Sequence, residues 1–242
     1  MLKALYNSIL SLIYPRECRV CSSEVNLTDH GVACGGCWDS TLIFDGNEML
    51  CDRCGALLGP SAGAVKVFCR RCDDHYYDKA IAVGVYEKAL AACVINLKSS
   101  PVLPGCLSDG ISNSVRRINI LDFDLLVPIP LSKKRKLERG YNQAEVIARH
   151  IGQEFGIAID SSSLIRKLHT PIHRVGMDQK ARDLTVRNAF EVVRPRLING
   201  KNILLIDDVL TSGSTASYCA KVLKKNGAKN VSAFTLARAV LH

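Results

Sequence analysis

Two adjacent carboxylates, Asp207 and Asp208, follow an apolar run at residues 203–206. They precede a loop rich in small and hydroxyl side chains, Thr211, Ser212, Gly213, Ser214 and Thr215. The apolar run reads as a parallel strand buried on both faces, and the apolar-periodic segment after the loop reads as a helix. In an open α/β sheet, ligands sit beyond the carboxyl ends of the strands. Gly213 at the turn lets backbone N–H groups approach an anion, and the N-terminus of the next helix faces the same point. One short segment thus offers a phosphate cradle beside two acids suited to ribose hydroxyls or a hydrated magnesium ion. A P-loop is excluded, because no Gly-Lys-Ser/Thr follows.

A second constellation lies past another strand candidate, residues 124–129, which ends in Pro128-Ile129-Pro130. Five basic side chains, Lys133, Lys134, Arg135, Lys136 and Arg139, cluster there. That location puts them on the sheet edge that carries the acid pair. A diphosphate needs such partners, Arg for bidentate contacts and Lys as point charges. The same cluster also reads as a solvated basic turn or a nucleic-acid patch.

Eight of the 11 cysteines form four C-x-x-C pairs. Cys18/Cys21 and Cys34/Cys37 are 12 residues apart, and Cys51/Cys54 and Cys69/Cys72 are 14 apart. Each pair of pairs has the ligand count and spacing of a structural four-cysteine zinc ribbon. The intervening segments are too short to bury a core, so metal must supply most of their folding free energy. The sequential arrangement is favoured, one ion per consecutive set of four, with an interleaved arrangement using the same ligands as the alternative. Closed four-thiolate sites leave no open position for substrate, so two structural zinc ions are expected. His30 and His75 read as ordinary surface histidines, and Cys93 and Cys219 as core fillers.

The chain of 242 residues has room for one medium domain and a small appendage. No apolar run approaches the roughly 20 residues that span a bilayer, and residues 1–15 read as an amphipathic helix rather than a signal core. With C-x-x-C spacing and no export signal, a cytoplasmic location is the default expectation. The formal charge is +9, which two four-thiolate zinc sites would lower to +5. A basic protein of this kind suits nucleic acid or a polyphosphate ligand, although 6% aromatic residues give no evident stacking platform for single strands. Residues 1–77 are expected to form an N-terminal helix plus zinc-ribbon region, and 78–242 a larger domain. Within the latter, strands are expected at 80–86, 124–129, 158–165, near 203–206 and at 231–236, with helices at 88–98, 106–117, 142–155 and after Thr215. This alternation implies α/β architecture, a mostly parallel sheet flanked by helices.

The run from Asp207 through Val209 and Leu210 to Thr215 resembles the 5-phosphoribosyl-1-diphosphate (PRPP) motif of type I phosphoribosyltransferases. That resemblance implies that Asp207 and Asp208 contact ribose and that Thr211 to Thr215 grip the 5′-phosphate. Together with Val127-Pro128-Ile129-Pro130-Leu131, Arg139-Gly140-Tyr141-Asn142-Gln143-Ala144-Glu145 and the cysteine pairs, the motif is similar over nearly the whole chain to the ComF-type phosphoribosyltransferase family, which takes in ComFC- and GntX-like proteins. The resemblance implies a type I phosphoribosyltransferase domain behind zinc ribbons, a diphosphate loop at residues 128–135 including Lys133, Lys134 and Arg135 with Arg139 nearby, magnesium with PRPP, and a role in natural DNA uptake. It also implies a hood over the substrate, marked by Arg166, Thr170, Pro171, Arg182, Arg187, Asn188, Ala189 and Phe190, with His173 standing where relatives carry glutamine. No base residue and no acceptor pocket is legible. Two functions from different classes therefore stand: a PRPP-dependent transferase or hydrolase, and a nonenzymatic module handling single-stranded DNA, alone or with other DNA-uptake proteins, in which PRPP is a regulatory ligand.

Overall fold

The computed structural model describes residues 17–25, 29–60, 66–69, 75–167 and 189–240. The expected N-terminal helix, Cys72, and the hood residues Thr170, Pro171, His173, Arg182, Arg187 and Asn188 lie outside the described residues.

The larger unit is built on a parallel sheet of β3 (Ala80–Val85), β8 (Asn230–Arg238), β7 (Asn202–Leu210) and β4 (Leu125–Pro128), in that spatial order. The two central strands are apolar on both faces because both faces are covered. Leu204 and Ile206 of β7 pack with Phe234 and Leu236 of β8 on one side. There they meet α2 (Lys88–Asn96), α3 (Gly105–Arg116) and α5 (Gln143–Phe155) through Leu90, Ile111 and Ile147. Ile203 and Leu205 point the other way, with Val231 and Ala233, toward Cys219, Ala220 and Leu223 of α7 (Ser214–Lys225). The expectation of a parallel sheet flanked by helices is met.

Between residues 158 and 166 the chain departs from the single strand expected there. Asp160 Oδ1 accepts hydrogen bonds from the N–H groups of Ser162 and Ser163, both at 2.9 Å, and this side-chain turn breaks the segment in two. Ile159 adds a parallel bridge to the outer edge of β4, at Leu126. The remainder, β5 (Leu164–Arg166), leaves the sheet and pairs antiparallel with β6 (Phe190–Val192). The buried Ala189 and Phe190, expected in the hood, begin that pair.

Both cysteine regions are packed against the larger unit. Cys18, Cys37 and Trp38, the last two from the short helix α1 (Gly35–Asp39), share the core with Leu90 and Ile111. Cys51 and Cys54 share the opposite core with Val231 and Cys219. These two lie in the connection between β1 (Glu48–Leu50) and β2 (Leu57–Pro60), a small antiparallel pair. The segment 42–44 covers the outer edge of β3, with the Phe44 N–H donating to the Val83 carbonyl and the Val85 N–H to the Leu42 carbonyl, each at 2.9 Å.

Gly84 is where that edge comes closest. A Cβ there would collide with the Leu42 carbonyl oxygen and lie 3.1 Å from Ile43 Cα. Gly84→Val is expected to cost about 1–3 kcal/mol, read as a lower urea midpoint at unchanged slope. An unaltered midpoint would contradict the placement of 42–44 against β3.

Candidate ligand site at the open edge of β7

The site arises from unequal strand lengths. Residue by residue, β4 pairs with β7 only as far as Pro128 opposite Ile206, with one further rung from the Ile129 N–H to the Ile206 carbonyl at 2.9 Å. Past this point β7 continues to Leu210, paired on its other side with β8 from Asp207 opposite Thr235 to Leu210 opposite Arg238. Asp207 and Asp208 therefore stand within β7, not beyond its end as the sequence suggested. They stand where its β4-side edge is open. A cavity of about 290 Å³ fills that edge, bordered by Asp207, Asp208, Thr215, Arg135, Arg139 and Arg166, with Lys98, Gln143 and the 129–131 loop completing the wall.

Strand alternation turns the two acids to opposite faces, and the cavity wraps the strand edge to take in both. Asp207 faces α7, and Asp208 faces Tyr86, whose phenol is held above its usual range first by burial and then by that carboxylate. Burial, followed by the neighbouring Asp208 charge, pushes the Asp207 carboxyl well above the usual carboxylate range. Its Oδ1 accepts a hydrogen bond from the Asp208 N–H at 2.9 Å.

The basic segment is a helix, α4 (Lys133–Arg139), rather than a turn. Its start is capped by Ser132 Oγ, which accepts from the Arg135 N–H at 3.4 Å, and its end by Gly140 with φ 76°. Helical spacing puts Arg135 and Arg139 one turn apart on the cavity side. Lys133, Lys134 and Lys136 are exposed and do not border the cavity, and Lys134 lies 3.9 Å from Glu138. The basic segment that begins in the diphosphate loop implied at 128–135 is thus divided, Arg135 and Arg139 bordering the cavity with the acids and the lysines facing solvent.

Arg166 sits at the end of β5 over the Phe190 ring, 5.4 Å from its centroid. Burial and then the like charge of Arg135 depress its pKa. Sequence reading linked Arg166 only to the hood, and gave Lys98 and Gln143 no role. Gln143 lies in the Arg139-to-Glu145 segment but carries no sign in its type alone. Its Oε1 accepts from Arg139 Nη1 at 2.9 Å, a contact that depends on the helix start. That start is fixed by Asn142, whose Oδ1 accepts from the Ala144 N–H at 3.1 Å while its Nδ2 donates to the Ile129 carbonyl at 2.9 Å.

Beyond Leu210 the loop is shaped for an anion. Gly213 takes φ 79° and leads into α7, whose N-cap has no side chain to offer its first N–H groups, of which that of Ser214 donates to Ser212 Oγ at 3.4 Å. Ser212 and Ser214 hydroxyls lie 2.9 Å apart, and Thr211 is exposed. Val209 packs into the core beneath and Leu210 is buried, so these two contribute backbone alone. His75 is no plain surface histidine. It stacks on Tyr77 with centroids 4.7 Å apart, and both rings abut Gly213, where a Cβ would lie 2.7 Å from Tyr77 Oη.

The sulfurs of Cys18, Cys21, Cys34 and Cys37 all lie within 4.8 Å of one another, and those of Cys51, Cys54 and Cys69 form a separate group. Cys18–Cys37 is 3.7 Å, Cys21–Cys34 3.5 Å and Cys54–Cys69 3.5 Å. Sulfurs at the corners of a tetrahedron with Zn–S near 2.3 Å are about 3.8 Å apart, so both groups fit the ion. The grouping is sequential, with the two clusters on opposite faces of the sheet.

Residues 9–73 match the family model described as a double zinc ribbon domain. Competence protein F of Haemophilus influenzae is 26% identical over 92% of this chain and 97% of its own. The DNA utilization protein YhgH of Salmonella typhi is 26% identical over 94% and 99%. The chain is a homologue of the ComF-type competence proteins. ComFC of Bacillus subtilis is 38% identical over 47% of this chain and 44% of its own. Among solved structures, a glutamine PRPP amidotransferase of B. subtilis aligns with a TM-score of 0.39 at 16% identity, covering 59% of this chain and 30% of that one.

The elevated Asp207 pKa sets a pH dependence. The folded chain keeps this proton at pH values where the unfolded chain has released it, so stability is highest below the ordinary carboxylate pKa and falls as pH rises through the raised one. Asp207→Asn, which retains an acceptor for the Asp208 N–H, is expected to unfold at a higher temperature than the parent at neutral pH. The gap should close below about pH 4. Calorimetric scans across pH read both, and an equal gap at all pH values would contradict the assignment.

Proposed function

We propose that this ComF-type chain binds PRPP at the open edge of β7 and works in natural competence or DNA utilization, as its relatives' names indicate for them. The observation that carries the reading is the cavity in which Asp207, Asp208 and Thr215 meet Arg135, Arg139 and Arg166 at the carboxyl ends of parallel strands. In this reading the α7 N-terminus and the hydroxyls of Thr211 to Thr215 receive the 5′-phosphate. Asp207 and Asp208 accept from the ribose hydroxyls. Arg135, Arg139 and Arg166, with Lys98, face the diphosphate and oppose the charge it gains on leaving. Magnesium, arriving with the diphosphate, would find its protein oxygens in the acid pair and otherwise keep water. Its chemistry when bound is to neutralise the leaving oxygens.

Zinc is proposed at Cys18, Cys21, Cys34 and Cys37, and at Cys51, Cys54 and Cys69 with Cys72 as the fourth ligand. Neither site leaves a coordination position for substrate, so the zinc is structural rather than catalytic. Eight metal-binding thiols suit a reducing compartment such as the cytoplasm. Among the described residues, no helix is long and apolar enough to cross a membrane.

Calorimetric titration of the zinc-loaded chain with PRPP and magnesium tests the site. Saturable binding is expected, weakened by a factor of about 100 or more in the Asp207→Ala/Asp208→Ala double variant. Metal analysis should give about two zinc per chain. Absence of PRPP binding, or binding indifferent to the double substitution, would sink the proposal. Tight, salt-dependent single-stranded DNA binding that ignores the substitutions would favour a DNA-handling module instead.

A further inference from the structure

The second cysteine cluster lies on the same face of the sheet as α7, and one buried side chain connects it to the loop after β7. Arg238 ends β8 and is 6% exposed. Its Nε donates to the Cys54 carbonyl at 3.1 Å, and its Nη2 lies 3.9 Å from Cys54 Sγ. Its Nη1 donates to the carbonyls of Leu210 at 2.8 Å, of Thr211, and of Ala239 at 3.4 Å. The guanidinium thus joins the backbone and sulfur of a candidate metal ligand to the two residues that open the anion loop.

The loop's other side is held by the chain that leaves the same cysteine region. The stacked His75 and Tyr77 rings press on Gly213. The Tyr76 N–H donates to Ser217 Oγ at 3.0 Å, and Lys221 Nζ to Tyr76 Oη at 2.7 Å, so this segment is fastened along the first turns of α7. Loop residues 211–213 therefore lie between two attachments that both run back to residues 51–77.

We infer that Arg238 is a positioning residue for the anion loop and that the second cysteine cluster, through Arg238, sets the affinity of that loop for a sugar phosphate. The inference rests on the PRPP-site reading above. A buried guanidinium needs acceptors for its donors. The four carbonyls of Cys54, Leu210, Thr211 and Ala239 supply most of them, and a thiolate-rich metal cluster supplies the opposing charge. Hydrogen bonding to a metal-bound sulfur is a recognised way for surrounding residues to orient ligands. Without an ordered cluster, Cys54 no longer fixes Arg238, and the Leu210 and Thr211 carbonyls lose the donor that shapes the turn. By linkage, a ligand held by the loop must act back on the second cluster with the same coupling. The first cluster packs on the far face of the sheet and has no such connection among the described residues.

The test uses the full chain loaded with cadmium, read by cadmium NMR, with ribose 5-phosphate as the probe. The resonance lost in Cys69→Ser marks the second cluster. Ribose 5-phosphate should shift that resonance and leave the first cluster's in place. Arg238→Lys, which keeps the charge but not the fork, should retain both resonances, bind ribose 5-phosphate about tenfold more weakly, and lose the shift. A parent protein that binds ribose 5-phosphate while moving neither resonance, or both alike, overturns the inference and leaves the binding site standing. So does an Arg238→Lys variant that binds as the parent does. A parent protein that binds no ribose 5-phosphate overturns the site reading itself, and this inference with it. Should Arg238→Lys fail to fold, the parent spectra decide.

Discussion

The hydrogen-bond ladder between β4 and β7 runs out one residue after Pro128, and the site depends on that shortfall. Pro130 cannot donate to a ladder, so Ile129 supplies the last rung. The carbonyl of the same residue accepts from Asn142 Nδ2, and Asn142 caps α5. Three features are thereby fixed at one point: where β7 becomes an open edge, where α5 begins, and where Arg139 and Gln143 stand relative to Asp207. An open strand edge inside a fold exposes unpaired backbone groups. Here charged side chains and a cavity occupy that edge, a local departure from a continuous ladder of the kind that marks binding sites.

The two cysteine regions complete the layers of this sheet rather than hanging beside it. One closes the α2/α3/α5 face and the other the α7 face. Each contributes only a few apolar residues, so neither could bury a core alone. Metal binding in such regions is folding free energy. Because they also cover core strands, that free energy is shared with the larger unit. The contacts are close. A Cβ on Gly31 would lie 2.7 Å from Pro104 Cβ, and one on Gly55 2.8 Å from the Ala80 carbonyl oxygen. Both glycines have positive φ, at 69° and 63°, so backbone conformation and close approach each exclude larger residues.

Residue order reveals the elements whose signal is local. The β7 run is readable because a strand covered on both faces is apolar at every position, and α5 because its apolar period begins at a capping Asn142. The anion loop is readable because glycine and hydroxyls are spaced for it. By contrast, α4 has no buried residue, and its single large apolar side chain, Leu137, is 85% exposed. No periodicity could expose such a helix; a serine cap and Gly140 bound it instead. The 158–166 segment misleads because one carboxylate turn at Asp160 outweighs β propensity. Lys98 and Arg238 escape notice, and Arg166 is legible only as part of the hood, for another reason. Each comes from a different element, and only the tertiary fold makes them neighbours of the loop and acids.

Electrostatics give the cavity a direction. Asp207 sits beside Asp208 in a poorly hydrated place, and Arg166 beside Arg135, so like charges crowd on both sides of one small volume. Desolvation adds to each repulsion, since both groups are driven toward their neutral forms. In the ligand-free chain this arrangement costs stability. A ligand with hydroxyl donors at one end and several phosphoryl charges at the other removes both penalties together: the hydroxyls satisfy the acids, and the phosphates separate and neutralise the arginines. A simple anion would relieve only the arginines, and a neutral sugar only the acids. In the PRPP reading proposed above, such a cavity would therefore favour a molecule that carries both groups at the right separation. Such stored destabilisation is the usual counterpart of a pre-organised site.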